Sequence, residues 1–240
     1  MSQNPLTPVS YWAVVPAAGA GVRMGGARPK QYLPLHGRTV IEHSVARLYN
    51  HPSVSGMVVA LAAHDGEGRK LFVRGMGEKP LLIAEGGAER AYSVLNALGK
   101  LNGLAQARDW VLVHDAVRPC LHRDDIDKLI HTLSAHAHGG FLAGRVNDTM
   151  WMEEGGALKV LDRKKLWRAF TPQMFRFGPL LDALESVIAQ GKTITDEASA
   201  MILLGAKPAL VEGRADNIKI TYPEDLPLAE FYLMQQERGL

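Results

Sequence analysis

The sequence predicts an α/β protein built on a mainly parallel, twisted sheet with helices on both faces. Short apolar runs recur along most of the chain, and most are followed by a stretch whose apolar residues have helical spacing. This alternation is typical of βαβ units, in which a helix connects each strand to a parallel neighbour. The chain has 240 residues, enough for one large domain of this class. We therefore expect residues 1–240 to form a single domain.

Seven runs are predicted as strands because they are short, apolar and bounded by polar or glycine residues. In chain order they are residues 11–15, 56–62, 80–84, 110–114, 140–143, 207–211 and 217–221. The runs alternate with the predicted helices over most of the chain, which is the signature of right-handed βαβ units.

Six segments are predicted as helices because their apolar residues recur at intervals of three and four. They are residues 39–49, 90–101, 125–135, 179–189, 196–204 and 223–238. Thr39 and Glu42 form a capping-box pattern at the start of the first helix. Thr195 is expected to cap the fifth helix, and Gly191 and Gly205 to end the fourth and the fifth.

The last predicted helix contains a proline close to its start. Pro227 lacks a backbone N–H group, so we expect this helix to begin late or to kink. Leu228, Phe231 and Tyr232 are large apolar residues at helical spacing, and we expect them to face the interior.

The α/β alternation stops between Arg145 and Trp167. Residues 147–152 and 158–161 are short apolar runs on either side of a glycine-containing turn, a pattern that predicts a β-hairpin. A hairpin is only marginally stable by itself in water, so this one must pack on something. A partner subunit and the body of the same chain are both candidates.

Composition narrows the classes of protein further. The net charge of +2 argues against a nucleic-acid partner that binds by bulk electrostatics. The single cysteine, Cys120, cannot form an intrachain disulfide, which fits a reducing compartment. The first ten residues show no apolar segment of a signal peptide, and no run approaches the roughly 18 apolar residues of a membrane helix. We expect a cytoplasmic protein without membrane or nucleic-acid partners.

The segment after the first strand is rich in small residues and carries two cations. Ala17, Ala18 and Gly19 leave the backbone bare, so its N–H groups can approach a phosphate closely. Arg23 and Lys30 bring positive charge to the same loop. No Gly-Lys-Ser/Thr sequence closes the loop, so it is not a Walker A motif. The loop predicts a cradle for a nucleoside triphosphate, and a glycine-rich turn without a ligand is the alternative.

Further candidates lie at or near the ends of other predicted strands. Ligands of open parallel sheets bind at the carboxyl ends of the strands. Gly87 and Ser93 follow the strand at 80–84, and Asp115 follows the strand at 110–114. Asp216 and Lys219 lie close to the last predicted strand. These residues are expected to meet at one edge of the sheet.

Asp115 is a candidate magnesium ligand, because Mg²⁺ is commonly held by one or two carboxylates together with substrate phosphates. A salt bridge to Arg118 is the structural alternative for this residue. Asp216 would supply the second carboxylate, although an aspartate in an ordinary turn is the alternative there.

Hydrolase chemistry has little support in the sequence. No Gly-x-Ser-x-Gly motif occurs, Cys120 has no obvious paired base, and the nine histidines show no zinc-ligand spacing. His114 and Asp115 are neighbours in a strand, so their side chains point to opposite faces. The remaining cations, carboxylates and glycine loops suit phosphoryl or nucleotidyl transfer, which depends on positioning and charge stabilisation.

Several of these motifs occur together and in a particular order. The stretches are residues 16–24, 29–33, 86–94, 114–119, 148–149, 171–173, 195–199 and 211–226. The ordered set closely resembles the 2-C-methyl-D-erythritol 4-phosphate cytidylyltransferase family, over about residues 12–233. The resemblance implies a Rossmann-like nucleotidyltransferase fold. It also implies transfer of a cytidylyl group from CTP to methylerythritol phosphate with Mg²⁺, releasing pyrophosphate, as a step of the non-mevalonate isoprenoid pathway.

The resemblance also implies roles for particular residues. The catalytic cations would be Arg23, Lys30 and Lys219. CTP would be held by Ala17, Ala18, Gly19, Gly87 and Ser93. Methylerythritol phosphate would be held by Asp115, Arg118, Thr149, Arg163, Thr171 and Lys219. Mg²⁺ would be held by Asp115 and Asp216.

The hairpin matches the arm through which two subunits of this family interlock. The resemblance therefore implies a homodimer, with an arm at about residues 145–166 that carries Thr149 and Arg163 into the partner's site. Two other functions remain open at this point. One is a cytidylyltransferase for another polyol phosphate, such as ribitol 5-phosphate, and the other is a catalytically silent nucleotide-binding scaffold.

Overall fold

The computed structural model describes residues 8–19, 28–73 and 75–239. In chain order, its strands are β1 (Tyr11–Pro16), β2 (Pro34–Leu35), β3 (Arg38–Thr39), β4 (Val54–Leu61), β5 (Leu81–Glu85), β6 (Trp110–Val113), β7 (Gly140–Arg145), β8 (Met150–Glu154), β9 (Ala157–Leu161), β10 (Trp167–Arg176) and β11 (Ala209–Glu212). Its α-helices are α1 (Val40–Tyr49), α2 (Gly66–Phe72), α3 (Arg90–Gly99), α4 (Arg123–Leu133), α5 (Phe177–Ala189), α6 (Glu197–Leu203) and α7 (Asp225–Glu237).

Seven strands form one mixed sheet in the order β11-β7-β10-β6-β1-β4-β5. Strand β1 pairs in parallel with β4 and β6, β4 with β5, and β7 with β11. Only β10 among these described strands runs antiparallel to its neighbours, β6 and β7. The predicted α/β class with a mainly parallel sheet is confirmed.

Helices cover both faces of the sheet, because successive residues of each strand point to opposite sides. Ala13 and Val15 of β1 pack into a core with residues of α1 and α4. Trp12 and Val14 face the other way, into a core shared with α3, α5 and α6. All four of these side chains are nearly or fully buried. Burying a Val side chain contributes about 1.5–3 kcal/mol, so the sheet interior is a large part of what stabilises the fold.

The helix termini follow the local sequence signals in most places. Thr39 caps α1 through the predicted capping box, with its backbone N–H donating to Glu42 Oε2 over 2.8 Å. Gly191 and Gly205 lie just beyond α5 and α6 and have positive φ angles, a conformation in which glycine ends a helix at little steric cost. Strands β8 and β9 pair in register as the predicted hairpin.

Strand β10 does not appear among the sequence predictions. It contains Pro172, which has no N–H group for a ladder and therefore hides a strand from pattern reading. The structure accommodates the proline at an irregularity, where the register with β7 shifts between Ala169 and Gln173. The pairing of this long strand, antiparallel to both β6 and β7, is thus decided by tertiary structure. The short helix α2 was also not predicted.

The prediction of a strand at residues 217–221 is wrong. This segment is an irregular stretch, fixed instead by single contacts such as Ile220 N–H to the carbonyl oxygen of Val117, over 2.9 Å. Asn217 also donates to the carbonyl oxygen of Thr171 over 2.8 Å. The segment crosses the end of the sheet without joining it, which places its side chains beside the strand termini.

Two details of the last helices also differ from prediction. Helix α6 is capped by Asp196, not Thr195, and the Asp196 carboxylate accepts the backbone N–H of Ser199 over 2.9 Å. Helix α7 buries Ala229 and Leu233, whereas Leu228 and Phe231 are exposed. Because α7 is apolar on several sides, spacing alone does not identify the packed face. The helix does begin late, and Pro227 lies in its first turn, where an N–H has no intrahelical partner.

Candidate active site

A cleft of about 380 Å³ opens at the carboxyl ends of the parallel strands β1, β5 and β6. Its lining combines bare backbone with charged side chains, the combination that phosphate binding requires. Of the residues predicted from the sequence, the cleft brings together Ala17, Ala18, Gly19, Lys30, Gly87, Ser93, Asp115 and Lys219.

The loop after β1 forms one wall of this cleft. The Ala17 N–H donates to the carbonyl oxygen of Ala60 over 2.8 Å, and the Gln31 side-chain amide donates to the carbonyl oxygen of Ala17 over 3.0 Å. Among the described residues, nothing lies within 4 Å of the position that a Cβ at Gly19 would occupy. The wall at residues 17–19 is therefore bare backbone held by hydrogen bonds.

Lys30 reaches the cleft from the start of a short 3-10 helix, Lys30–Tyr32. Its ammonium group donates to the carbonyl oxygen of Ile220 over 2.8 Å, and the residue is only 9% exposed. A cation with so little access to water interacts strongly with any anion that enters the cleft, because the local dielectric is low.

The loop after β5 forms the opposite wall and needs both of its glycines. A Cβ at Gly86 would lie 2.2 Å from the Cβ of Ala18, and a Cβ at Gly87 would lie 2.2 Å from the Cβ of Tyr92. Ser93 holds the loop from α3, where its hydroxyl accepts the Gly87 N–H over 3.1 Å and donates to the carbonyl oxygen of Glu89 over 3.3 Å. Ser93 therefore shapes the loop in addition to lining the cleft.

Asp115 is the centre of a buried ionic cluster at the end of β6. Its carboxylate lies 2.9 Å from Lys219 Nζ, 3.2 Å from Arg90 Nε and 3.5 Å from Arg118 Nε. Burial by itself raises the pKa of Asp115, but Arg90, Lys219 and Arg118 outweigh it and hold the pKa well below its usual range. The carboxylate therefore stays ionised, and the salt bridge to Arg118 is present.

Arg90 is a functional candidate that the sequence pattern alone did not single out. It lines the cleft at the start of α3 and joins Asp115 to Glu197 of α6, whose carboxylate it contacts at 2.5 and 3.1 Å. Glu197 is 1% exposed, and burial raises its pKa above the ordinary value against the opposing effect of Arg90. Arg90 and Glu197 both stand in motif stretches, but only the fold shows that they contact each other and that Arg90 also contacts Asp115.

His114 and Thr171 form a hydrogen-bonded pair behind the cleft. His114 Nε2 lies 3.0 Å from the carbonyl oxygen of Arg118 and must donate to it, so Nδ1 accepts the hydroxyl proton of Thr171 over 2.9 Å. The Thr171 hydroxyl oxygen in turn accepts the Asp115 N–H over 3.0 Å. Burial lowers the pKa of His114 to about 4, so the ring is neutral at pH 7. This chain of bonds fixes the backbone that carries Asp115.

Arg118 also supports the site from behind. Its guanidinium donates to the carbonyl oxygens of Asn217, over 2.7 Å, and Ala169, over 3.4 Å, and lies over the ring of Phe170. Neither Arg118 nor Thr171 lines the cleft itself. With these contacts, Arg118 ties the end of β6 to β10 and to the segment that carries Lys219.

Three further candidates lie away from this cleft. Asp216 is held by Arg214, with contacts of 2.9 to 3.1 Å, and the structure does not bring it to Asp115 as a second carboxylate. Thr149 and Arg163 lie at the two ends of the hairpin and are exposed. The remaining catalytic candidate, Arg23, lies outside the described residues.

The described residues contain no cluster of three or more His, Cys, Asp or Glu side chains that would hold a metal ion by themselves. Mg²⁺ in nucleotide enzymes needs fewer protein ligands, because substrate phosphates supply the others. Asp115 fits that role by its ionised carboxylate and its place in the cleft.

A glycine-walled, cationic cleft at the carboxyl ends of a mainly parallel sheet is the arrangement of a nucleotide-binding α/β enzyme, here a nucleotidyltransferase. Residues 11–235 match the family model of 2-C-methyl-D-erythritol 4-phosphate cytidylyltransferase. The chain therefore belongs to this family.

Similar proteins of the same description span nearly the whole chain. The Aeromonas hydrophila protein is 54% identical over 226 residues, which cover 93% of this chain and 90% of that protein. The Vibrio vulnificus protein is 50% identical over 231 residues, covering 95% and 96%. A crystal structure described as 4-diphosphocytidyl-2C-methyl-D-erythritol synthase superposes with a TM-score of 0.81 at 36% identity, covering 95% of this chain and 99% of that one.

Proposed function

We propose that this chain transfers the cytidylyl group of CTP to 2-C-methyl-D-erythritol 4-phosphate, giving 4-diphosphocytidyl-2-C-methyl-D-erythritol and pyrophosphate. Family membership over residues 11–235 supports the reaction. The observation that carries it is the cleft, where the bare backbone of residues 17–19 and 87 faces Lys30 and Lys219. Such a site is suited to gathering two anionic substrates.

The reaction requires the protein mainly to supply positive charge and to position the two substrates. A phosphate oxygen of methylerythritol phosphate attacks the α-phosphorus of CTP, and the bond from that phosphorus to the bridging oxygen of the β-phosphate breaks. The nucleophile is already anionic at neutral pH, so no general base is needed. The residues must hold two anions together and stabilise the charge that develops, as is usual in phosphoryl transfer.

We assign this charge stabilisation to Lys30, Lys219 and Arg23. Ala17, Ala18, Gly19, Gly87 and Ser93 form the walls of the cleft and are assigned to CTP. Asp115 holds the Lys219 ammonium at 2.9 Å, so it positions one catalytic cation in advance of substrate binding. Arg118 and Thr171 act from behind, and their contacts favour an indirect role over a direct grip on the substrate phosphate.

A pyrophosphate-release assay with each of the four ribonucleoside triphosphates tests the cytidylyl assignment. We expect turnover with CTP and methylerythritol phosphate. Ribitol 5-phosphate, offered in parallel, tests the polyol specificity, and preference for it would replace the proposed substrate. Absence of pyrophosphate release with every pair would instead favour a catalytically silent nucleotide-binding protein.

Mg²⁺ belongs to the proposal as an ion that arrives with the nucleotide and neutralises phosphate charge. Asp115 is the carboxylate assigned to it. Since Asp115 lines the cleft and Asp216 does not, the two residues make a matched test. We expect Asp115→Asn to raise the Mg²⁺ concentration needed for half-maximal rate and Asp216→Asn to leave it nearly unchanged. If both variants and the wild type need the same Mg²⁺ concentration for half-maximal rate, Asp115 is not a ligand of the metal ion.

We also propose a homodimer, with residues 1–240 as one domain and residues 145–166 as its arm. The support is exposure, because Trp151, Leu158 and Val160 of the hairpin are 53–67% exposed in the single chain. Contiguous apolar surface of this kind marks an interface. Thr149 and Arg163 lie on the arm and not in their own chain's cleft, so we assign them to the cleft of the partner.

Mixing two inactive variants tests this shared site. If Arg163 acts in the partner's cleft, a mixed dimer of Lys30→Ala and Arg163→Ala has one site with both defects and one with neither. Complete subunit exchange at equal concentrations should then restore about a quarter of the wild-type rate, because half of the dimers are mixed and half of their sites are intact. If activity does not return although subunit exchange is demonstrated, Arg163 acts in the cleft of its own subunit.

A cytoplasmic location completes the proposal. It is supported by Cys120, which is buried and unpaired, and whose pKa burial raises to about 12. Among the described residues, no helix is long and apolar enough to cross a membrane. Cell fractionation followed by immunodetection tests the location directly.

A further inference from the structure

A second cavity, of about 520 Å³, lies between α1, α7 and the β2–β3 turn. It shares no lining residue with the cleft described above. Its lining is rich in groups that bind anions. The arginines and histidines among them are Arg38, Arg47, Arg123, His36, His43 and His51. The lining contains one carboxylate, Glu237.

Arg47 is the central cation of this cavity. Its Nε donates to the carbonyl oxygen of Pro119 over 3.1 Å, and its Nη2 donates to Gln236 Oε1 over 2.7 Å. Burial lowers the pKa of Arg47 against the opposing attraction of Glu237 and Asp216, although neither carboxylate forms a salt bridge with it within the described part of the chain. A partly buried cation whose hydrogen bonds go to neutral groups is costly to bury, and a bound anion would offset part of that cost.

Two more guanidinium groups stand at the rim. Arg38, in strand β3, is exposed. Arg123, at the start of α4, is exposed and lies 3.6 Å from Asp127. Guanidinium groups bind phosphate through paired, geometrically matched hydrogen bonds. Because three guanidinium groups line this one cavity, the cavity favours an oxyanion over a neutral ligand.

The histidines line the cavity as polar side chains that already have hydrogen-bond partners within the chain. His43 Nε2 donates to the carbonyl oxygen of Leu35 over 2.8 Å, and burial lowers the pKa of His43. His51 contacts Asp127 over 3.1 Å, and burial lowers its pKa as well. His36 Nε2 lies 3.1 Å from Glu237 Oε2, so the one carboxylate of the lining already has a hydrogen-bond partner. Arginine stays charged at every pH at which the protein is folded, so the fixed positive charge of the cavity is that of its arginines.

A metal ion does not fit this cavity. The described residues hold no group of three His, Cys, Asp or Glu side chains arranged for a metal. His43 Nε2 is already hydrogen-bonded to the carbonyl oxygen of Leu35, and His51 Nε2 is already hydrogen-bonded to Asp127. The cavity is also too polar, with cations on several sides, to attract a purely apolar ligand.

We propose that this cavity is a binding site for a phosphate group, either inorganic phosphate or the phosphate of a small monoester, with Arg47 at its centre and Arg38 and Arg123 at its rim. The site is separate from the catalytic cleft and is occupied independently of CTP. Its volume leaves room for a small organic part beside the phosphate.

NMR of the histidine ring protons tests the proposal, because His36 and His43 line this cavity and not the catalytic cleft. Inorganic phosphate and, separately, glycerol 3-phosphate are titrated into the full chain at constant ionic strength set by chloride. Resonances are assigned with His36→Gln and His43→Gln. We expect saturable shifts of both residues, and we expect them to persist in the presence of saturating CTP. A tighter constant for glycerol 3-phosphate identifies a monoester as the ligand, and equal constants identify bare phosphate.

Rim variants provide the matched comparison, since both arginines are exposed and their loss should leave the fold intact. Arg38→Gln and Arg123→Gln are each expected to raise the dissociation constant about 3-fold, the scale of one exposed ionic contact. Arg69→Gln, an exposed arginine of α2 outside this cavity, is the control and should leave it unchanged.

The proposal is overturned by any of three results. These are no saturable shift, equal constants for the rim variants and the wild type, or loss of the shifts on addition of CTP, which would place the anion in the catalytic cleft.

Discussion

The catalytic cleft and the hairpin arm are built in opposite ways. At the cleft, Asp115 and, behind Arg90, Glu197 are 9% and 1% exposed at their side chains, and both are held by cations from other elements. In the arm, every residue of β8 is exposed, and Trp151 reaches 59%. The charged groups that organise the cleft thus all come from a single chain. The arm instead presents exposed apolar side chains of the kind that mark an interface.

This contrast separates two kinds of functional residue. A side chain such as Lys30 is positioned by the fold of its own chain, through its contact with the Ile220 carbonyl oxygen. Arg163 sits on the arm, where its guanidinium donates to the carbonyl oxygen of Asn147 at the base of the hairpin. Substitutions in the cleft should therefore act on chemistry within one subunit, and substitutions of the apolar arm residues on assembly, whereas Arg163 is the arm residue proposed to act on the chemistry of the partner's cleft.

The largest effect is expected at Lys30. Lys30→Ala removes a nearly buried cation from the cleft proposed to hold the phosphates of CTP, and kcat should fall by about 10²–10³ with little change in thermal stability. Lys192→Ala, an exposed lysine after α5, is the control and should keep wild-type turnover. Pyrophosphate release and thermal unfolding are measured on the same preparations. Near-normal turnover of Lys30→Ala at saturating CTP would refute the catalytic assignment.

A smaller effect is expected at His114, behind the cleft. The folded protein holds this ring neutral with a pKa of about 4, against an ordinary value of 6.5. The folded state therefore binds fewer protons than the unfolded state between these values, and stability falls as the pH drops from 6.5 to 4. His114 alone should account for about 3 kcal/mol of that loss.

His114→Gln should remove this part of the pH dependence, because glutamine keeps a donor for the Arg118 carbonyl oxygen but does not titrate. Chemical denaturation at a series of pH values measures it, and pH 8, where the ring is neutral in both states, is the internal reference. Asp115 contributes in a lower range, since its depressed pKa makes stability fall only below its ordinary value of 3.8. An unchanged slope between pH 6.5 and 4 would contradict the buried neutral ring.

The smallest effect is expected in the arm. Trp151→Ser should weaken the dimer about 30-fold, the scale of one aromatic interface residue, or about 2 kcal/mol. It should change the stability of the monomer by less than about 0.5 kcal/mol, because the side chain is exposed there. Leu210→Ser, an exposed residue of β11, is the control. Sedimentation equilibrium that finds the same dimer constant for both variants would exclude the arm as the interface.

Residues with local physical signals were predicted well. The Thr39 capping box, the glycines after α5 and α6, and the apolar strand β1 each depend on neighbours in the chain, and the structure contains them. Strand β10 was missed because its pairing partners are distant in sequence and Pro172 obscures its pattern. Arg90 was missed as a site residue for a similar reason, since its two partners come from β6 and α6.

By itself the sequence determined the α/β class, the hairpin and most of the residues that meet in the cleft, because periodicity, caps and glycine loops are local properties. Only the tertiary structure decided which charges face one another. It paired Asp115 with Arg90, Arg118 and Lys219, and it paired Asp216 with Arg214 away from them. The reason is physical: the energy of a charge depends on distance and burial, and both are set by contacts between segments far apart in the chain.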